Sequence, residues 1–506
     1  MKELSYLDYQ GLSTGQRIVY NIKKFFCAFG KFFARIGKAI ASIVKSIIFG
    51  IGNGAKNLVL DFVKGSWRTK LSYIIMGFGN LTCGQIVRGL CYLAFEVVFI
   101  GYTATTGVKW LSKLDNLGDA AAVEVYDAVL DAYTTVHYDD SFQILLYGGL
   151  SLLFIFLFLF IWRKNIKGSR ENDILKAEGK KIPKFKDDMH ELVDGKFYKT
   201  LLALPIVGIT CFTILPIVFM IAVAFTSYDG AHDGYSNLFT WVGWQNFAEL
   251  FNTSAGNLGY AFKHILGWTL VWAFFATFSN YFLGILVALL INKKGIRFKK
   301  LWRGILVLTI AVPQFISLLY MSKLFAKSGL INAFLLKVGL LAAPYDFWGN
   351  AMSARVLVIL INIWIGIPFL MLMCTGILMN IPDDLYESAR IDGANAAQQF
   401  FKITLPYMLF VTGPYLLTSF IGNINNFNVI YLLAGGAKAN PALATSGGSA
   451  TDVDLLITWL FKITTGTDSD YKVASVVGIM IFVVVATLSV IVYNILPSNK
   501  NEEDFQ

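Results

Sequence analysis

The sequence predicts an all-α protein, a polytopic bundle of eight transmembrane helices with both termini in the cytoplasm. Of its 506 residues, 56% belong to the apolar and aromatic set AVILMFWYC and only 15% are charged. A soluble domain has about 45–50% apolar and about 25% charged residues. Eight apolar segments are long enough for a bilayer, which needs about 20 residues per helix. Basic residues also gather in alternate loops, as expected of a multi-pass membrane protein.

The eight predicted spans differ in the strength of their pattern. The second and the eighth are continuous apolar runs, whereas Arg88 and Glu96 interrupt the first. The seventh contains Asn423, Asn425 and Asn426. The predicted bounds are 85–107, 143–162, 201–226, 265–291, 302–326, 355–380, 407–433 and 474–496.

The loops fix the expected orientation. Lys and Arg occur eleven times in the loop 163–199 and six times in 292–303, but are absent from 228–262. Cytoplasmic loops carry the excess of basic residues, so with eight spans every basic loop and both termini fall on the inner side. The acidic loop 108–142 then lies outside, either as a contact for a binding protein or as a solvated surface.

Four regions follow from this topology. Residues 1–84 form a cytoplasmic N-terminal region with a basic amphipathic helix at 22–48, which either lies on the membrane surface or only fixes the orientation. Residues 85–199 contain the first two spans and the basic loop. The core, with six spans, is 200–496, and 497–506 form a cytoplasmic tail.

Catalytic patterns are not evident. The five cysteines and four histidines are scattered and match no metal or disulfide pattern. Glycines precede Lys56, but without the spacing of a phosphate-binding loop, and we expect a flexible break there. The sequence therefore predicts a transport protein rather than an enzyme, with no cofactor of its own. Uphill transport then needs energy from a partner or from an ion gradient.

The cytoplasmic segment 381–406, IPDDLYESARIDGANAAQQFFKITLP, has the pattern of a docking element. Asp383 or Asp384 can cap a first short helix. Gly393 is expected to end it, and a second short helix is expected to end at Pro406. Two short helices with a glycine bend suit a groove on a soluble partner, although a plain loop between spans has a similar composition.

This segment resembles the EAA motif of permease subunits of binding-protein-dependent ABC importers, roughly EAAxxDGAxxxxxFxxIxLP. The resemblance implies that the segment couples to an ATPase subunit, with Glu387 as its acidic contact and Gly393 as its bend. Ser388 departs from the usual alanine. The coupling residues that the motif identifies are Glu387, Ala389, Asp392, Gly393 and Ala394.

Polar residues within the predicted spans suggest a sugar site. Ser419, Asn423 and Asn426 have the spacing of one helical stripe, and Trp364 lies in the middle of the sixth span. Amide groups can bind sugar hydroxyls while an aromatic ring stacks on the apolar face of a sugar. Interhelical hydrogen bonding is the alternative for the asparagines, and packing for the tryptophan.

From about residue 200 to 496 the chain resembles the maltose/maltodextrin permeases of the MalF type, in phrases such as NIWIGIPFLMLMCTGIL and SFIGNINNFNVIYLL. The resemblance implies the type I ABC importer permease fold. It also implies a substrate site in the membrane, in which Gln314 replaces a serine and Gly422 a phenylalanine, so the sugar stays open. The implied site residues are Gln314, Trp364, Gly366, Ser419, Asn423 and Asn426.

The resemblance implies a set of partners. They are a second homologous permease of the MalG type, two ATPase subunits that bind ATP and Mg, an extracellular sugar-binding protein, the oligosaccharide and membrane lipid. Nucleic acid is not expected, and the location is the bacterial plasma membrane. The alternative is an ion-coupled secondary sugar transporter, which needs an intramembrane carboxylate. Glu96 is the candidate, unless it pairs with Arg88 or with a neighbouring helix.

Overall fold

The computed structural model describes residues 52–495, apart from positions 121, 122, 128, 137, 234–237, 294 and 467, with a few isolated positions before residue 52. The helix expected at 22–48, save for isolated positions, and the tail 497–506 lie outside this part. The helices are α1 Trp67–Leu71, α2 Phe78–Thr82, α3 Ile86–Leu111, α4 Ser141–Ala177, α5 Phe185–Val193, α6 Phe197–Val223, α7 Gln245–Ala248, α8 Leu258–Asn292, α9 Lys299–Ala311, α10 Gln314–Leu324, α11 Leu330–Lys337, α12 Ala351–Leu378, α13 Asp383–Ile391, α14 Ala396–Ile424, α15 Phe427–Leu433, α16 Leu456–Thr465 and α17 Tyr471–Ile495.

Two antiparallel hairpins complete the described secondary structure. Strands β1 Val123–Asp127 and β2 Ala132–Val136 pair between α3 and α4. Strands β3 Ala439–Thr445 and β4 Gly448–Thr451 pair between α15 and α16. The chain divides into two compact units, residues 1–222 with 234–240, and residues 223–233 with 241–506.

Seven helices of the described chain are long and apolar enough to cross a membrane, and the pair α9 and α10 makes an eighth candidate. The all-α transmembrane prediction is thus confirmed, but the fifth span is not the continuous helix expected over 302–326. Its two halves meet at 89°. Val312 and Pro313 separate them, because proline has no N–H and forces the residue before it into an extended conformation.

The seventh span also differs from the expected 407–433. Helix α14 begins at Ala396 and ends at Ile424, where Asn425 and Asn426 interrupt the helix before α15. The side chain of Asn426 accepts a hydrogen bond from the Val429 N–H (3.3 Å) and so caps α15. Asparagine favours such caps over helix interiors because its side chain competes for backbone groups.

Two smaller expectations are also wrong. Residues 52–64 are helical, so the glycines before Lys56 do not form the expected break. Helix α4 has 37 residues and continues to Ala177, so residues 163–177 of the basic loop 163–199 belong to the same helix as the second span.

The first unit is held together by buried polar groups. Asn165 accepts a hydrogen bond from the Gly77 N–H (2.8 Å) and donates to the Ser72 carbonyl (2.9 Å). Glu96 is 8% exposed and accepts from the Met76 N–H (2.8 Å). Such bonds are needed because a buried polar group without a partner costs a few kcal/mol.

Of the two pairings considered for Glu96, the one with Arg88 does not form. Arg88 instead lies 2.7 Å from a carboxylate oxygen of Asp188 in α5. Glu96 and Arg88 are eight residues apart on α3, about two helical turns. Each side chain therefore finds a partner on a neighbouring element rather than along its own helix.

The second unit has an apolar core around α8, α12 and α14. Trp272, Leu318 and Val358 are completely buried in one cluster. At the end of α17 that the charge pattern places outside, Asp229 accepts hydrogen bonds from Lys472 and His232, both at 2.6 Å. Partial burial by itself would raise the pKa of the Asp229 carboxyl, but these bonds lower it below its usual value.

Candidate functional site

The predicted coupling element consists of α13, a bend and the first turn of α14. Helix α13 follows Pro382 rather than an aspartate cap, and both Asp383 and Asp384 lie in its first turn. There they interact favourably with the helix dipole. Gly393 has φ +74°, the left-handed conformation that glycine adopts most readily, so the expected bend is present.

Helix α14 begins with a reciprocal cap after this bend. The Asn395 side chain accepts from the Gln398 N–H (2.8 Å), and the Gln398 side chain accepts from the Asn395 N–H (2.9 Å). Of the residues expected to contact an ATPase, Glu387 and Asp392 are exposed, and Ala389 and Ala394 are partly buried. A rigid, exposed bend of this kind can dock into a groove.

The second helix does not end at Pro406 as expected. It continues for 29 residues, from Ala396 to Ile424. The regular α-helical part begins at Leu405, and Pro406 is its second residue. The π-helical turn Phe400–Thr404 comes immediately before Leu405. Proline lacks a backbone donor, and a wider turn next to it accommodates the missing bond.

A hydrogen bond ties α13 to α14. The hydroxyls of Tyr386 and Thr404 are 2.8 Å apart, and Thr404 is only 3% exposed. The exposed helix α13 is thus linked to the long helix that also carries Ser419 and Asn423. This link could not be predicted from the sequence, because the two residues are 18 positions apart on different helices.

The structure brings together two of the predicted sugar-site residues, Asn423 and Asn426. The Asn426 amide donates to the Asn423 side-chain oxygen (3.3 Å), and the Asn423 amide donates to the Thr277 hydroxyl (3.0 Å). The Trp272 indole N–H donates to the Asn423 carbonyl (3.1 Å). The single stripe predicted for Ser419, Asn423 and Asn426 is wrong, since Asn426 lies beyond the end of α14.

Thr277 belongs to a π-helical turn, Phe275–Ser279, in the middle of α8. Asn280 follows this turn, and its side-chain oxygen is buried without a hydrogen-bond partner among the described residues. Neither Thr277 nor Asn280 was predicted from the sequence, although polar side chains in an apolar span are a recognisable signal. Such π-helical turns often occur at functional sites.

Gly366 lies against Asn280, the residue that follows this turn. A Cβ atom at Gly366 would come within 2.7 Å of the Asn280 amide, so the glycine permits the close approach of α12 to α8. Trp364, on the same helix, is 53% exposed. Within the described chain it has no hydrogen bond to the asparagine pair, and its ring is free to stack on a ligand.

The remaining two predicted residues occupy separate places. Gln314 is exposed and is the first residue of α10, immediately after the 89° bend. Ser419 lies one turn after Tyr415 on α14. Neither has a hydrogen bond to Asn423 or Asn426 in the described part of the chain.

A cavity of about 900 Å³ lies between the first halves of α8 and α12. Its lining includes Phe275, where the π-helical turn begins, and Leu360, one helical turn before Trp364. Lys263 and His264 are polar residues of the lining nearer the start of α8. By the predicted topology, these starts of the two helices face the outside.

Arg355 fixes the outer part of this cavity. It donates to the Asp452 carbonyl (2.8 Å) and to the ring nitrogen of His264 (3.2 Å). Its guanidinium lies 4.9 Å from the centre of the Trp268 ring, a cation–π distance. This group could not be predicted from the sequence, because its members are far apart in the chain.

Comparisons with known proteins show the family to which this chain belongs. Residues 280–500 match the family described as "Binding-protein-dependent transport system inner membrane component". The maltodextrin transport system permease protein MdxF of Bacillus subtilis (strain 168) is 33% identical over 437 residues, which are 85% of this chain and 95% of MdxF.

Two further relatives differ in the sugar that their names give. The galactooligosaccharides transport system permease protein GanP of Bacillus subtilis (strain 168) is 31% identical over 85% of this chain and 97% of GanP. The maltose/maltodextrin transport system permease protein MalF of Escherichia coli (strain K12) is 35% identical over 49% of this chain and 48% of MalF.

Proposed function

Because the chain belongs to the family of binding-protein-dependent transport system inner membrane components, we propose that it carries maltodextrin or a related oligosaccharide across the bacterial inner membrane. It is a permease subunit of an ABC importer and a multi-pass integral membrane protein. The names of MdxF and MalF favour a maltodextrin, and the name of GanP keeps a galactooligosaccharide open.

The continuity of α14 carries this proposal. The helix begins at the coupling bend and reaches Asn423 without a break, a distance of about 40 Å at about 1.5 Å per residue. Movement of the bend is therefore transmitted along one element to the asparagine pair.

The mechanism that we propose is alternating access. An external binding protein delivers the sugar, and two ATPase subunits, which bind ATP and Mg, close and move α13. Helix α14 follows through the Tyr386–Thr404 bond, which shifts Asn423 relative to the π-helical turn that contains Thr277. A second homologous permease encloses the other side of the pathway.

In this proposal the amides of Asn423 and Asn426 bind sugar hydroxyls, and Trp364 stacks on the apolar face of a sugar ring. Gln314 and Ser419 would approach the sugar from other sides of the pathway. Gly366 would act indirectly, because it sets the distance between α12 and the π-helical turn.

The test is reconstitution with the neighbouring gene products. We would measure the ATPase activity of the complex in liposomes with the binding protein, with and without α-linked glucans and galactooligosaccharides. Stimulation that needs both the binding protein and one sugar class is the expected result. A chain that transports sugar in the absence of ATPase subunits would refute the proposal.

No observation favours the ion-coupled alternative. Glu96 is the carboxylate on which it depended, and this side chain accepts a hydrogen bond from the Met76 N–H within the first unit. That contact gives Glu96 a structural role in joining α3 to the turn before α2.

A further inference from the structure

We infer that residues 52–64 form an interfacial helix that binds anionic phospholipid at the inner surface of the membrane. This interfacial helix belongs to the first unit, precedes α1 and contains none of the residues proposed to bind sugar. The inference needs only that the chain spans the membrane, and it does not depend on which sugar is carried. The ligand is a lipid whose phosphate head group has a net negative charge, such as phosphatidylglycerol.

Three contacts hold one face of the interfacial helix near α4. A carboxylate oxygen of Asp61 lies 2.8 Å from the guanidinium of Arg163. The Leu58 carbonyl accepts a hydrogen bond from the Tyr73 hydroxyl (2.6 Å). The Tyr73 ring packs edge-on against Trp162, with ring centres 5.6 Å apart. The interfacial helix is therefore fixed to α4 at two neighbouring residues of that helix.

These contacts place the interfacial helix at the inner end of the second span. The predicted span ends at Trp162, and the basic residues Arg163 and Lys164 follow it on the cytoplasmic side. Tryptophan and tyrosine are enriched where a membrane meets water. Earlier on α4, Phe156 and Phe160 are 67% and 61% exposed, as expected of side chains that face lipid. The interfacial helix therefore lies at the level of the lipid head groups.

The opposite face of the interfacial helix combines apolar and basic side chains. Lys56, Val59 and Val63 follow one another at intervals of three and four residues, so they share one side of the helix. Leu60 and Lys64 adjoin them, and all five residues are exposed. This composition fits a phospholipid, because the apolar side chains can contact acyl chains while the lysine side chains reach the head-group phosphate.

The charge around this face selects an anionic head group. Asp61 is the only acidic residue at positions 52–71, and α4 already balances its charge. Lys56 and Lys64, together with Lys164 at the start of the inner part of α4, are exposed and have no ion pair within the described residues. An anionic lipid supplies the countercharge that these lysines lack, whereas a zwitterionic lipid supplies no net charge.

The test measures lipid binding to the purified full-length chain in a neutral detergent by native mass spectrometry. The probes are dioleoyl phosphatidylglycerol, which is anionic, and dioleoyl phosphatidylcholine, which is zwitterionic and has the same acyl chains. A lysine near an anionic membrane surface contributes about fivefold in affinity, which corresponds to about 1 kcal/mol. We therefore expect Lys64→Gln to weaken phosphatidylglycerol binding about fivefold, and Lys56→Gln/Lys64→Gln about 25-fold, with little change for phosphatidylcholine.

The matched control is Lys327→Gln/Lys337→Gln. Both lysines are exposed, lie in the second unit and have no ion pair in the described part of the chain, so this variant should keep the wild-type affinity for phosphatidylglycerol. Val63→Asp tests the apolar part of the face. It should weaken the binding of both lipids, because it places a charge where acyl chains are expected.

Three results would overturn the inference. One is equal affinity of the wild type for the two lipids, which would mean that no net negative head group is selected. Another is an unchanged affinity for phosphatidylglycerol in Lys56→Gln/Lys64→Gln, or an equal loss in the control variant. The third is that the double variant loses an ATPase subunit or the second permease from the purified complex while lipid binding is intact, which would identify a protein contact instead.

Discussion

The Tyr386–Thr404 hydrogen bond can be tested by Tyr386→Phe, which removes only a hydroxyl. A buried polar group left without a partner costs about 1–3 kcal/mol. The Thr404 hydroxyl can turn to a carbonyl of the preceding turn, so we expect the lower end, about 1 kcal/mol. Because 1.4 kcal/mol is a factor of ten, the attachment of α13 to α14 should weaken about fivefold.

The assay is the amount of sugar imported per ATP hydrolysed in proteoliposomes. Tyr386→Phe should lower this ratio several-fold while binding-protein-independent ATPase activity persists, because α13 would then be joined to α14 only through residues 392–395 and would transmit less of its movement. Tyr407→Phe is the matched control, since the Tyr407 hydroxyl has no hydrogen bond within the described chain.

A double-mutant cycle decides whether the two hydroxyls act together. Thr404→Val should have an effect similar to that of Tyr386→Phe, and the double variant should be little worse than either, because residues that share one bond are not additive. Independent, additive losses would refute the argument that this bond transmits movement from α13 to α14.

Three further predictions concern the coupling element and the membrane site. Glu387→Lys should abolish uptake without lowering the amount of protein in the membrane; unaltered uptake would remove its coupling role. Asn423→Ala should raise the sugar concentration that half-stimulates the ATPase, and an effect on expression alone would mean that the side chain only packs. Gly366→Ala forces a Cβ to within 2.7 Å of Asn280 and should destabilise the protein by about 1–3 kcal/mol, seen as a lower midpoint of thermal unfolding in detergent. Gly376→Ala on the same helix, with open space at Cβ, should leave that midpoint unchanged or raise it, because alanine favours a helix more than glycine does.

Much of the fold could be predicted because the membrane imposes a length and a polarity on each span. The coupling element could be predicted too, since its glycine and its exposed acids are local features. The breaks in the fifth and seventh spans could not be predicted from the sequence. The fifth span turns through 89° at Val312 and Pro313. The sequence does not predict this angle, because a proline in an apolar run is equally compatible with a mild kink when neighbouring helices provide partners for the freed backbone hydrogen-bonding groups.

The candidate site, too, could be predicted only in part from the sequence. The amides of Asn423 and Asn426 stood out because polar groups in a span are costly. Their partner Thr277 did not, since it is 146 residues away and its position depends on a π-helical turn. Hydrogen bonding to the backbone decided the end of α14 at Ile424, where the sequence pattern alone favoured a continuous helix.

By itself the sequence determined the class of protein, the number of spans, the coupling motif and the residue types available for a sugar. These follow from composition, periodicity and local motifs, which do not depend on distant contacts. Only the tertiary structure decided that α14 joins the coupling bend to Asn423, that Gly366 packs against Asn280 and that α8 and α12 leave a cavity between them. Those features depend on how helices far apart in the chain pack, and side-chain volumes and hydrogen bonds between helices set that packing.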